Sequence, residues 1–259
     1  MSLAAAGARI RPQDRDLKIL TIDIERLPGK AWVFDQKTNF VSYRNFDEDP
    51  RTICAAWRWY GQRQVEFAAE WDDGHEAFIR RTWDLYHEAD IVYTYNGIRF
   101  DNAILRGDWL TYGLKPPRPW KDVDLYAVMR QFGFISKSLD YTTKRLGRPG
   151  KQLHYSVEMA AAAVNGDEKA RRKMGKYNRG DIELTEWLAD QLRPWIKNHP
   201  FPRALGDEHQ CNHCGSSDLE LDSRRYRAVV LDYAAYRCRR CGGWIRGGWE
   251  ARAANTRGV

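Results

Sequence analysis

One short segment near the start of the chain constrains the fold more than any other feature. Residues Leu17 to Ile24, with the sequence LKILTIDI, are rich in β-branched side chains and are apolar on both of the faces that a strand would present. A segment of this kind is typical of a strand in the middle of a sheet that is covered on both sides. We therefore predict a central, buried strand here.

Two acidic residues lie at the end of this predicted strand. Asp23 and Glu25 are two positions apart, so both carboxylates would project from the same face. Neighbouring anions repel each other and are costly to remove from water, and a divalent cation between them removes both costs. A surface Asp-x-Glu at a strand end is the alternative, and the pair by itself does not decide between the two.

The other predicted elements give the fold class. A hairpin follows the first strand, and then helices alternate with strands, which is the pattern of an α/β domain built on a mixed sheet. Further strands are predicted at 52–59, 64–70, 91–95 and 122–126, and helices at 75–89, 101–112, 139–146 and 167–195.

Prolines mark the end of this domain. Pro194, Pro200 and Pro202 interrupt the chain near residue 200, and the composition changes after them. We predict four regions: a flexible arm at 1–16, the α/β domain at 17–198, a small domain at 205–247 and a disordered tail at 248–259.

Two more acidic groups stand out later in the chain. Asp101 follows the predicted strand at 91–95 and begins a helix, where an Asp most often serves as an N-cap. Tyr177 and Asp181 lie four residues apart in the longest predicted helix and therefore share one face of it. Each feature is common by chance when it is considered alone.

The order of the three features is more specific than any one of them. Asp-x-Glu on a first strand, the segment YTYNGIRFD ending at Asp101, and Tyr-x-x-x-Asp on a late helix together resemble the DnaQ-like superfamily of 3′→5′ exonucleases. The likeness spans about residues 17–192, is strongest to the proofreading domains of family B DNA polymerases, and implies an RNase H-like mixed sheet flanked by helices. Lys176 stands where the histidine branch would have its His, which favours the tyrosine (DEDDy) branch.

The resemblance implies a role for each motif residue. Asp23 would bridge two Mg²⁺ or Mn²⁺ ions, Glu25 and Asp181 would complete one metal site, and Asp101 would support the other. Tyr177 would orient the attacking water. These roles agree with elementary chemistry, because two metal ions stabilise the charge that develops on the attacking and leaving oxygens of a phosphodiester, and oxygen ligands suit hard cations.

Substrate contacts follow less directly from the likeness. Many relatives have Thr after the Asp-x-Glu, whereas this chain has Arg26, Leu27 and Pro28. By resemblance, Leu27 would wedge against the terminal base, and Asn96 and Phe100 are further candidate substrate contacts.

Several chemically active residues lie outside the pattern. Asp122 and Asp124 form a second acidic pair, but no later motif partners them, so we interpret them as supporting residues or as unrelated. His154 and His199 match no motif and are predicted to be surface or capping groups. Cys54, alone in an apolar stretch, is predicted to be a buried and unreactive thiol.

The remaining four cysteines predict a zinc ribbon. They form two Cys-x-x-Cys pairs, each followed by Gly, with 23 residues between the pairs. The zinc ligands would be Cys211, Cys214, Cys238 and Cys241. Such a unit is most often structural, yet arginines and aromatic residues crowd this one, so it could bind DNA or dock a protein such as a DNA polymerase or another replication protein.

The composition and net charge of the chain indicate which class of molecule it binds. The chain has 259 residues, a net charge of +7 and a pI of about 9.1, which suits a polyanion partner. No apolar run approaches the ~20 residues of a membrane helix, and residues 1–16 lack the apolar core of a secretory signal. We therefore expect a cytoplasmic protein, of a bacterium or of a virus in its host, with no membrane partner.

The leading hypothesis is a metal-dependent hydrolase, a 3′→5′ exonuclease acting on single-stranded DNA 3′ ends, with a role in proofreading in trans or in DNA repair or degradation. An RNA 3′→5′ exonuclease on the same scaffold is one alternative. A non-catalytic nucleic-acid-binding adaptor is the other, and the presence of all five motif residues argues against it.

Overall fold

The computed structural model describes residues 17–197, 199, 210–223, 226–227 and 231–252, without the side chains of 227 and 248–252. Its internal contacts divide the chain into a first unit, residues 18–192, and a second unit that contains the chain from residue 193 onward. The predicted arm at 1–16 lies outside the described residues.

A mixed five-stranded sheet forms the centre of the first unit. Its strands are β1 (Ile19–Leu27), β4 (Arg51–Trp59), β5 (Glu66–Ala69), β6 (Ile91–Thr94) and β7 (Lys121–Asp124). They lie in the order β5-β4-β1-β6-β7. β1 is antiparallel to β4 and parallel to β6, so it joins an antiparallel half of the sheet to a parallel half. Two short strands, β2 (Lys30–Ala31) and β3 (Phe46–Glu48), pair with each other outside this sheet.

Helices flank the sheet, which confirms the predicted mixed α/β class. They are α1 (Glu70–Asp73), α2 (His75–Glu88), α3 (Asp101–Thr111), α4 (Leu125–Met129), α5 (Leu139–Arg145), α6 (Val157–Val164) and α7 (Glu168–Leu192). The predicted helix 167–195 stops at Leu192 and continues as a 3-10 turn, Arg193–Trp195, because Pro194 cannot donate the next helical hydrogen bond.

The two faces of β1 have different roles. Leu20, Ile22 and Ile24 are at most 3% exposed and pack in one apolar cluster with residues of α2 and α3. The alternate residues, which include Asp23 and Glu25, point the other way, toward the side on which α7 packs. The apolar face therefore anchors the strand while the opposite face carries the acidic groups.

The second unit contains a small antiparallel sheet. Its strands are β8 (Leu219–Leu221), β9 (Tyr226–Arg227), β10 (Leu231–Cys238) and β11 (Trp244–Arg252), with β10 between β11 and β8 and also paired with β9. The prediction of a disordered tail from residue 248 is wrong for residues 248–252. The backbone of β11 continues through them and pairs with β10, with Leu231 opposite Arg252. Residues 253–259 and the predicted 205–209 lie outside the described residues.

Within the described parts of the chain, no helix has both the length and the apolar character needed to cross a lipid bilayer.

Candidate active site

Three carboxylates from two distant parts of the sequence converge beside the sheet. One oxygen from each of Asp23, Glu25 and Asp181 lies within 4.8 Å of the others. The first two are on β1 and the third is on α7. Asn178, one turn before Asp181, fixes this arrangement by donating from Nδ2 to Asp23 Oδ2 at 2.7 Å.

Asp101 contacts the same strand. It is the first residue of α3, it is 3% exposed, and its Oδ1 accepts a hydrogen bond from the backbone N–H of Ile24 at 3.1 Å. The residue in the N-cap position is Phe100, so the side chain of Asp101 ties α3 to β1 rather than capping its own helix. Asp101 does not belong to the cluster of three, and the predicted group of four carboxylates is thus a three-plus-one arrangement.

The turn before α3 explains why the sequence reads Asn-Gly there. Asn96 has a φ of 69°, in the left-handed region that Asn tolerates better than most residues. At Gly97, any Cβ would lie only 2.4 Å from the side chain of Thr94. The tight turn brings the chain from β6 into α3 at the position where Asp101 reaches Ile24.

Lys151 is a member of this site that the sequence analysis missed. Its Nζ donates to Asp181 Oδ2 at 2.6 Å and lies 3.3 Å from the hydroxyl of Tyr177. The side chain is 21% exposed, so the ion pair is largely shielded from solvent. Lys151 lies in the connection between α5 and α6, where neither helical nor strand periodicity marks a residue as inward-facing.

Tyr177 lies one helical turn before Asp181, as the spacing predicts. It is 8% exposed. Burial and the neighbouring charge of Glu25 raise its pKa far above the ordinary value, and its hydroxyl shares a hydrogen bond with Asp181. The phenol therefore stays protonated near neutral pH and can position a neighbouring group but cannot act as a base.

Burial raises the pKa of every carboxyl group in the site. Removal from water, together with the charge of Asp181, raises the pKa of Glu25 from 4.5 to about 8. Removal from water also raises the pKa of Asp101 to about 6 and that of Asp23 well above its ordinary value. The pKa of Asp181 is raised by burial too, although Lys151 opposes the shift. Ionising these carboxyl groups together therefore requires a counter-charge, and an all-oxygen ligand set suits Mg²⁺ or Mn²⁺.

The three candidate substrate contacts differ in how far their side chains are buried. Leu27 is 8% exposed and packs in an apolar cluster with Met174 and Tyr177. Phe100 is 46% exposed. The side chain of Asn96 is partly buried, and its backbone N–H donates to Asp124 at 2.9 Å.

The second acidic pair has a structural role. Asp124 caps α4 by accepting from the backbone N–H of Tyr126, and it also holds the Asn96 turn. Asp122 accepts hydrogen bonds from Asn102 Nδ2 at 2.8 Å and from Trp120 Nε1 at 2.6 Å. These hydrogen bonds position the turn and helix that carry Asp101.

Of the other residues outside the motifs, two lie as predicted and one does not. His154 is exposed, and Cys54 is fully buried with a raised pKa, as predicted. For His199, predicted to be a surface or capping group, the surface position is wrong. The residue is 3% exposed, and its Nδ1 lies 3.2 Å from the backbone oxygen of Asn212. These residues are 13 positions apart, so no local sequence pattern around His199 predicts that its side chain is buried.

The four remaining cysteines meet in the second unit. One sulfur from each of Cys211, Cys214, Cys238 and Cys241 lies within 4.8 Å of the others. The Sγ atoms of Cys211 and Cys241 are 3.6 Å apart and those of Cys214 and Cys238 are 3.7 Å apart. A tetrahedral zinc site with Zn–S bonds of ~2.3 Å has S–S edges of about 3.8 Å, so this set fits a zinc ion.

The two cysteine turns are built alike. Gly215 and Gly242 have φ values of 73° and 74°, the left-handed region that glycine enters at no steric cost. Each of them donates its N–H to the carbonyl of the first cysteine of its pair at 2.8 Å. The glycine after each Cys-x-x-Cys therefore closes the turn that brings both sulfurs to one point.

The sequence matches no protein family model and no curated protein. Its fold is similar to part of the family B DNA polymerase from the hyperthermophilic archaeon Pyrobaculum calidifontis, with a TM-score of 0.54 and 20% sequence identity. The similarity covers 70% of this chain and only 25% of that chain. At this identity it shows a shared fold, which is consistent with the predicted RNase H-like sheet.

Proposed function

We propose that this chain is a metal-dependent 3′→5′ exonuclease that acts on single-stranded DNA ends, of the DEDDy type. The observation that carries the proposal is the convergence of Asp23, Glu25 and Asp181 within 4.8 Å, with Tyr177 on the same helix as Asp181. Similarity to part of a DNA polymerase supports a nucleic-acid substrate and favours DNA over RNA.

The carboxylates account for the metal dependence. Asp23, Glu25 and Asp181 would hold one divalent cation, and Asp101, bonded to the backbone of β1, would help to hold a second beside Asp23. Mg²⁺ or Mn²⁺ bound there would stabilise negative charge on the attacking and leaving oxygens of the phosphodiester. The raised pKa values of the acids mean that protons compete with metal for these oxygens.

The neutral and cationic side chains position the reactants. The protonated hydroxyl of Tyr177 can orient a water molecule by a hydrogen bond. Lys151, bonded to Asp181, brings a positive charge to the edge of the cluster and is suited to meet a phosphate oxygen. Asn178 holds Asp23 in the orientation from which it faces Glu25 and Asp181.

The direct test is digestion of 5′-labelled single-stranded DNA and RNA oligonucleotides of the same sequence with Mg²⁺ or Mn²⁺. We expect a ladder of 5′-labelled products that shortens step by step from the 3′ end, faster for DNA, and no products after the divalent ions are dialysed away. Faster digestion of RNA would favour the alternative function, an RNA 3′→5′ exonuclease. Retention of both substrates intact, with tight binding, would support the non-catalytic adaptor instead.

A further inference from the structure

A cavity of about 930 Å³ lies within the second unit, beside the cysteine cluster. Residues of the 3-10 turn after α7, the first cysteine turn and strands β9 to β11 line it. The lining includes Trp195, Lys197, His213, Tyr226, Trp244 and Arg246. None of them belongs to the candidate active site, which lies in the first unit.

Three large aromatic side chains line this cavity and remain open to solvent. Trp195 is 59% exposed, Tyr226 is 53% exposed and Trp244 is 50% exposed. Aromatic rings that line a cavity without being buried offer flat surfaces on which a nucleobase can stack, and stacking of this kind tolerates any base.

Positive charge accompanies the aromatic rings. Arg246 and Lys197 both line the cavity and are exposed. The guanidinium of Arg246 lies 4.5 Å from the ring centre of Tyr233, and that of Arg237 lies 5.9 Å from the ring centre of Trp244. Cations held beside aromatic rings are suited to a ligand that combines a base with a phosphate.

The cysteine turn makes part of the lining rigid. Asn212 and His213 lie between Cys211 and Cys214, and both line the cavity. His213 Nε2 lies 3.4 Å from the backbone oxygen of Trp244, and Asn212 Nδ2 donates to the backbone oxygen of His199 at 3.3 Å. A wall that is fixed before the ligand arrives lowers the entropy that binding must offset.

We propose that this cavity is a second nucleic-acid site, which binds a nucleotide of a single strand by stacking its base on Trp244 or Trp195 and meeting its phosphate with Arg246 and Lys197. Such a site would retain a strand independently of its hydrolysis. The combination of exposed aromatic rings and cations favours single-stranded nucleic acid over a protein partner of the same unit.

The test measures binding of a fluorescent single-stranded oligonucleotide to the full-length, zinc-loaded chain that carries Asp23→Asn, which prevents digestion. Trp244→Ala and Trp195→Ala are each added to this background, and at least one of them should weaken binding by about 5-fold to 150-fold, the range for loss of one stacked base. Trp244→Phe should retain most of the affinity because a ring remains. Arg246→Ala should reduce the slope of log affinity against log salt by about 0.7, as for one phosphate contact.

Leu221→Ala is the matched control, since Leu221 is 62% exposed on the same small sheet but does not line the cavity. It should bind like the parent, and zinc content should be equal in every variant. Unchanged affinity in both Trp→Ala variants would overturn the proposal and leave the cavity to a protein partner. This outcome is separate from the exonuclease assay, because binding can persist in a chain that cuts nothing, and cutting can persist in a chain whose cavity binds nothing.

Discussion

Two clusters of metal-suited ligands among the described residues are built in opposite ways. The acidic cluster takes its members from β1 and α7, elements far apart in sequence. β1 packs in a large apolar cluster through Leu20 and Ile22, and α7 packs in a second one through Met174 and Tyr177. The cysteine cluster takes its members from two short turns, and its small sheet has few buried apolar side chains among the residues described. The first site is therefore supported by a large folded core, whereas we expect the second unit to need a bound metal ion in order to fold.

This contrast predicts its largest effect at the cysteines. Replacing Cys211 and Cys214 by Ser removes two of four thiolates from a site whose zinc affinity is worth ~10–16 kcal/mol in comparable units. We expect the second unit to unfold and zinc to be lost, while the first unit keeps its cooperative melting transition and its activity on short oligonucleotides. Zinc content, thermal melting and a short-substrate assay measure the three outcomes. Loss of the first unit's transition would show that the two units fold as one.

Tyr177→Phe separates positioning from metal holding in the first site. The change removes only a hydroxyl that stays protonated, so we expect slower cleavage, by at most ~10²–10⁴-fold, with unchanged stability. Single-turnover rates at saturating Mn²⁺ measure the effect. A wild-type rate would remove the main support for the tyrosine-type assignment.

Lys151→Met tests the residue that only the structure revealed. Loss of a charge-assisted hydrogen bond to Asp181 should lower the cleavage rate by about 10-fold to 100-fold. Lys30→Met is the matched control, because Lys30 makes a comparable 2.6 Å ion pair with Glu48, but its side chain is 67% exposed and the pair makes no described contact with Lys151 or Asp181. Equal rates for the two variants would mean that Lys151 serves only the fold.

A further effect concerns the stability of protein that has been dialysed free of Mg²⁺ and Mn²⁺. Glu25 has a pKa of about 8 in the folded chain against an ordinary value of 4.5, so between these pH values the folded state holds a proton that the unfolded state has released. Stability should therefore fall as pH rises from about 5 to about 8 and then level off. Adding Mn²⁺ should restore more stability at pH 8 than at pH 5, because ionised carboxylates bind the metal.

Glu25→Gln provides the control for this pH dependence. The amide cannot titrate, so the variant should show a flatter curve of melting temperature against pH and a smaller gain from Mn²⁺. Superimposable curves for the variant and the parent would mean that Glu25 does not carry the raised pKa.

The sequence predicted this site in part, for identifiable reasons. Strand and helix periodicities are local, so they placed Asp23 beside Glu25 and Tyr177 beside Asp181. The contributions of Lys151 and of the amide of Asn178 depend on contacts over 30 and 155 positions of the sequence. A lysine in a connecting segment and an asparagine in a helix carry no periodic signal that would reveal such contacts.

The fold shows the same division between local and long-range information. The order of strands and helices followed from apolar patterns, and the proline after Leu192 ended α7 close to the predicted boundary. The strand β11 was missed beyond residue 247, because a Gly- and Arg-containing segment resembles a tail until its pairing with β10 is known. The bond from Asp101 to Ile24, rather than a cap, likewise depends on a strand 77 positions away.

The most direct measurement of the central claim is the single-turnover digestion of a 5′-labelled oligonucleotide by the parent, by Asp23→Asn and by Asp122→Asn, all at saturating Mn²⁺. Both substitutions keep the size of the side chain and remove one charge, but only Asp23 belongs to the three-carboxylate cluster. We predict stepwise 3′→5′ shortening by the parent and by Asp122→Asn, and none by Asp23→Asn. In metal-free buffer Asp23→Asn should melt at or above the parent's temperature, because a neutral amide replaces a buried carboxyl group that is costly to ionise. Cleavage by Asp23→Asn at the parent's rate would contradict the assignment of this cluster as the active site.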